Sequence, residues 1–129
     1  MADTTNFLEI VNKGYTFKGE SFKIGCAMID GAVVSGADVL IPFKTLNRHG
    51  LIAGATGTGK TKTLQILAEG LSDASIPVLM MDIKGDLSGI AAAGKPQPKI
   101  DERSAKLNIT WKATSFPTEL LTLSNEKGV

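Results

Sequence analysis

The chain has 129 residues, 43% hydrophobic and 21% charged, which is material for one folded domain and excludes a chain disordered throughout. Its 14 Lys and Arg nearly balance 13 Asp and Glu, giving a net charge of +1, so composition points to neither a nucleic-acid nor a membrane partner. One cysteine, Cys26, and one histidine, His49, exclude an internal disulfide and a Cys- or His-rich metal centre.

Along the chain, Phe7, Leu8, Ile10 and Val11 predict the apolar side of a short helix running from an Asn6 cap to Asn12. Two β-like stretches follow. In residues 21–29, Phe22, Ile24, Cys26 and Met28 alternate with small or polar residues, and residues 32–43 carry Val33, Val39, Ile41 and Phe43. Asp30-Gly31 between them predicts a tight hairpin, because such turns need positive φ at their central residues. Cys26 reads as a small core residue on its strand, and His49 as a loop histidine. Residues 1–46 are therefore expected to form a front element of one helix and one antiparallel hairpin.

Residues 47–129 read differently. Leu51, Ile52 and Ala53 predict a short strand running into Gly54-Ala55-Thr56-Gly57-Thr58-Gly59-Lys60-Thr61. After Gly59 the apolar period lengthens: Leu64, Leu67, Ala68 and Leu71 mark one helix face, closed by residues 72–75. Pro77-Val78-Leu79-Met80-Met81-Asp82 reads as a buried parallel strand ending in an acid. Asp86 is expected to cap a short helix over residues 87–93, residues 99–106 are expected to be helical, and residues 107–111 and 119–123 are weaker strand candidates. The expected fold class is α/β, a partial parallel P-loop NTPase sheet behind the hairpin.

The loop satisfies G-x-x-x-x-G-K-[S/T], and each residue type has a task. Glycines 54, 57 and 59 let backbone N–H groups turn inward around an anion without a Cβ in the way. The helix that follows points its positive dipole end at the same place. Lys60 is expected to reach the β- and γ-phosphates of ATP, and the Thr61 hydroxyl to ligate Mg²⁺.

A second group, Asp82-Ile83-Lys84-Gly85-Asp86, follows the 77–82 strand. Asp82 reads either as a Mg²⁺ partner acting through water or as the residue that fixes its own loop, and both readings stay open here. Lys84 is read as a phosphate contact, a neighbouring-subunit contact or a solvated side chain. Asp82-x-x-Gly85 also has GTPase spacing. The short interval from Lys60 leaves no room for a switch I segment, however, and Asn125-Glu126-Lys127-Gly128 is not an N-K-x-D.

Residues 45–61 (Thr45-Leu46-Asn47-Arg48-His49-Gly50-Leu51-Ile52-Ala53 and the loop), followed by Pro77 through Gly89, closely resemble the HerA-like helicase proteins of the HerA/FtsK superfamily of P-loop ATPases. The resemblance implies an ATP-driven motor, commonly a hexameric homo-oligomer, that moves DNA or, in relatives, protein. It carries the phosphate loop onto Gly54, Ala55, Thr56, Gly57, Thr58, Gly59, Lys60 and Thr61. It also implies that the acid of the 82–86 block lies on an additional strand, which argues against Asp82 as the principal Mg²⁺ partner. The catalytic glutamate, sensor residues and arginine finger of the superfamily lie later and have no match here. The chain therefore reads as the ATP-binding N-terminal portion of a longer ATPase, cut near Val129, with no residue identified to polarise the attacking water.

Two other readings remain. A small P-loop phosphotransferase would need an arginine-bearing lid, and only Arg48 and Arg103 are present. A non-catalytic nucleotide-binding assembly module would use its surfaces for oligomer contacts. No apolar run approaches the length of about 18 residues that spans a bilayer, and residues 1–6 lack the basic and apolar regions of a signal peptide. The expected location is the cytoplasm.

Overall fold

A computed structural model describes residues 4–122. Within that range the chain divides into two compact units. The first runs up to Ala55 and takes in Gln97–Trp111; the second comprises Thr56–Pro96 and the chain from Lys112 onward.

The first unit is built on the expected hairpin. Strand β1 (Ser21–Ile29) pairs antiparallel with β2 (Ala32–Pro42), with Ile29 opposite Ala32 across the turn. Asp30 and Gly31 both have positive φ, 49° and 77°, the mirror-image turn whose twist matches the flanking strands. Helix α1 (Thr4–Gly14) covers β2. Val11 meets Val34 and Ala37 of β2, with Phe7, Leu8, Tyr15, Ala27 and Ile29 packed around them. Ile10 belongs to the opposite side of α1 and is exposed. The alternation expected of β1 is broken by irregular register between Lys23 and Gly25 and between Cys26 and Met28. Ala27 and Ile29 therefore face the core while Met28 is exposed.

Helix α3 (Pro98–Lys106) starts one residue ahead of the expected 99–106, because proline suits the first helical position. Residues 107–111 form no strand. Leu107 ends α3, Asn108 takes φ 49°, and the amides of Asn108 and Ile109 return to Ala105 and Ser104, a Schellman closure that turns the chain away. The Leu107 carbonyl accepts Lys23 Nζ at 2.9 Å and Cys26 Sγ at 3.2 Å, so the end of α3 is fastened to β1. Lys23 also pairs with Asp38 of β2 at 2.8 Å. Partial burial pulls the Lys23 ammonium down, but Asp38 and the Cys26 thiol outweigh it and the group lies above its ordinary value.

In the second unit, helix α2 (Lys60–Asp73) follows the glycine-rich loop as the period predicted. It closes on a second Schellman motif, with Ser75 at φ 60° and the amides of Ser75 and Ile76 returning to Ser72 and Leu71. Its buried residues are Gln65 and Ala68, whereas Leu64 is exposed.

The expected parallel sheet is not formed. Among the described residues the sheet is the two-stranded β1–β2 pair, and neither 51–53 nor 77–82 is a strand. Parallel strands require a laddered neighbour and cover on both faces, and the relevant side chains have neither: Leu51, Leu79 and Met81 are 89%, 83% and 89% exposed. The architecture is α/β with a two-stranded antiparallel sheet. Residues 119–122 also form no strand, while Leu123 and the 125–128 segment lie outside the described residues. Among the described residues no helix is long and apolar enough to cross a membrane.

Candidate functional site at the start of α2

The second unit holds an open cleft of about 600 Å³. Thr56, Gly57, Gly59, Lys60 and Thr61 line it together with Asp82, Lys84, Asp86 and Leu87. Gly54, Ala55 and Thr58 are not among its lining residues, and the first two belong to the other compact unit.

The loop takes its shape from two left-handed glycines, Gly57 at φ 81° and Gly59 at φ 97°. A Cβ built on either would meet no atom within 4 Å, so the loop borders open space. Gly59 is also the N-cap of α2, and no side chain caps that end. An α-helix leaves its first N–H groups without intrahelical acceptors and places its positive dipole end there. Helices usually offset this with an acidic first turn, whereas α2 opens Lys60-Thr61-Lys62 and has no acidic residue in that turn. Cationic side chains at the positive end of a helix dipole make a local potential that favours an anion.

Asp82 supports a turn beside this helix end. Its Oδ1 accepts the amides of Lys84 at 3.1 Å and Gly85 at 2.9 Å, and its Oδ2 accepts the Leu87 amide at 2.7 Å. Those donors, Leu87 first, hold the Asp82 carboxyl below the ordinary aspartate range. The expected cap at Asp86 is absent: the 3₁₀ turn Ser88–Ala91 begins after Leu87, with no side-chain cap, and it is Asp82 that takes the Leu87 amide. The expected helix over 87–93 is shortened to that single turn.

Gln65 was not singled out from the sequence. It is 8% exposed on α2, donates Nε2 to the Asp86 carbonyl at 3.2 Å and accepts Lys62 Nζ on Oε1 at 2.8 Å. The 82–87 turn is thereby fastened to the helix that the glycine loop opens. Apolar periodicity could not flag this residue, since a buried amide leaves no hydrophobic signal. Glu69, further along α2, lies above its ordinary value, chiefly through burial, with Lys62 opposing and Asp73 reinforcing the shift.

Comparison with known proteins relates the chain to helicases. The family described as "Helicase HerA-like C-terminal" matches residues 29–129. The DNA double-strand break repair helicase HerA of Sulfurisphaera tokodaii is 34% identical over 104 residues, covering 79% of this chain and 19% of that protein. No solved structure matches. The chain belongs to the HerA-like helicase family.

Proposed function

We propose that this chain is the ATP-binding N-terminal portion of a HerA-type ATPase core, with residues 1–46 as a front element and 47–129 as the nucleotide-binding part. One observation carries the proposal: α2 begins with two lysines and no carboxylate, behind a left-handed glycine loop that borders an open cleft. In this reading the backbone of Gly54, Ala55, Thr56, Gly57, Thr58 and Gly59 cradles the phosphates and Lys60 neutralises their charge.

The residues present suit Mg²⁺ with its phosphates. Open space lies where Gly57 and Gly59 lack Cβ atoms, and Thr61, a hydroxyl-bearing residue, lines the cleft. Mg²⁺ supplies neutralisation of the phosphate charge; Thr61 would hold it directly and Asp82 through water, while Asp82 also keeps its three backbone donors. Because the aligned segment is 19% of the Sulfurisphaera tokodaii helicase, activity of the whole protein is part of the proposal. That activity is ATP-driven DNA translocation or helicase action by a cytoplasmic homo-oligomer, hexameric by the family resemblance.

Titration of the chain with labelled ATP and Mg²⁺ tests the site. Lys60→Ala abolishes saturable binding if the loop holds the phosphates; unchanged affinity in that variant rejects the site.

A further inference from the structure

We infer that Lys84 is a second phosphate-contacting cation of the cleft, with Asp82 and Gln65 as the positioning residues that hold it there. The inference rests on the nucleotide-binding reading above and adds a contact from outside the loop and its helix.

Lys84 lines the same cleft as Gly57, Gly59 and Lys60. Its backbone is fixed on both sides. Asp82 takes the amides of Lys84 itself, of Gly85 and of Leu87, and Gly85 sits at φ 77°, a conformation that keeps the turn sharp. From α2, buried Gln65 grips the Asp86 carbonyl, so the turn's position is set by the helix that begins at Lys60. A solvated lysine needs no such support. A lysine that must meet a particular oxygen does, because its four-carbon stem is flexible and only its root can be made rigid.

Charge points the same way. The lining holds Lys60, Lys62 and Lys84 against Asp82 and Asp86, and the Asp82 carboxylate is engaged by three amides. Three lysines against two aspartates leave the lining one positive charge in excess, and a lysine ammonium meets phosphate as a point charge.

The test is an equilibrium titration of the 129-residue chain with labelled ATP, in Mg²⁺ and in EDTA, over a series of salt concentrations. Lys84→Ala is expected to weaken ATP binding about tenfold and to reduce its salt dependence, as loss of a charge-assisted contact would. Lys84→Arg should recover most of the affinity. Asp82→Ala should weaken binding in EDTA as well as in Mg²⁺, and in EDTA the double variant Asp82→Ala/Lys84→Ala should be little worse than either single one, since without metal Asp82 acts through Lys84.

Three results overturn the inference. One is Lys84→Ala binding ATP like the parent while Lys60→Ala does not bind; a lysine serving only subunit contacts would give this result. Another is a loss in Asp82→Ala confined to Mg²⁺ solutions, which makes that carboxylate a metal partner instead. The third, Lys60→Ala binding like the parent, removes the nucleotide reading itself and this inference with it.

Discussion

Removing the Gln65 side chain should loosen the 82–87 turn and destabilise the second unit measurably. Gln65→Ala deletes a 3.2 Å bond to the Asp86 carbonyl and a 2.8 Å bond from Lys62. A net side-chain hydrogen bond contributes about 1 kcal/mol, and the exposed Lys62 end counts for less because water replaces it. Asp86 is exposed, so water can take the place of the lost donor, and alanine returns a few tenths through helix propensity. The expected loss is about 1 kcal/mol. Urea denaturation of the parent and the variant measures it. Hydrogen exchange locates it, because the amides of Lys84, Gly85 and Leu87 are the ones held by Asp82. A variant within about 0.5 kcal/mol of the parent, the scatter of ordinary surface substitutions, with unaltered exchange at those three amides, would refute the tether.

Two further outcomes follow from the loop and the turn. Gly57→Ala and Gly59→Ala each force a Cβ into a left-handed backbone, costing about 1–2 kcal/mol of stability, and direct that Cβ into the open space where phosphates are proposed. Gly89→Ala, with equally open surroundings and no positive φ, is the neutral control; equal melting temperatures for Gly59→Ala and Gly89→Ala would remove the conformational argument. The Asp82 carboxyl lies below its unfolded value, so its stabilising effect is complete above pH of about 3.9 and fades as pH falls through the lower folded value. The stability gap between the parent and Asp82→Asn should therefore close in strong acid, and urea midpoints that keep a constant gap down to pH of about 2 would contradict it.

Local signals carried most of the first unit. A cluster of apolar residues marked α1 and Asp30-Gly31 marked the hairpin, as a 3.6-residue period marked α2 in the second unit, because each depends on residues close in sequence. What could not be read was pairing. The apolar runs at 51–53 and 77–82 look like strands, yet a strand exists only with a partner, and sequence pattern says nothing of whether one is at hand. Residues 107–111 were misread for a smaller reason: Asn108 tolerates the left-handed region, and that one torsion ends α3 and redirects the chain. At the site, motif spacing singled out the glycine loop and Lys60, and Gly57, Gly59 and Lys60 line one cleft. The backbone bonds that Asp82 accepts show only in the folded turn, and Gln65 stands out only by its burial.

The exposed side chains of Leu79, Met81 and Ile83 bear on how this chain behaves in a test tube. Five apolar residues from Val78 to Ile83, interrupted only by Asp82, form the sort of window that templates sticky self-association once concentration rises. Nature flanks such windows with gatekeepers, and here Pro77 stands before it and the Lys84-Gly85-Asp86 triplet after it. With a net charge of only +1, overall repulsion between molecules is feeble, so colloidal behaviour rests on those few flanking residues. Variants that neutralise Lys84 or Asp82 are best handled dilute.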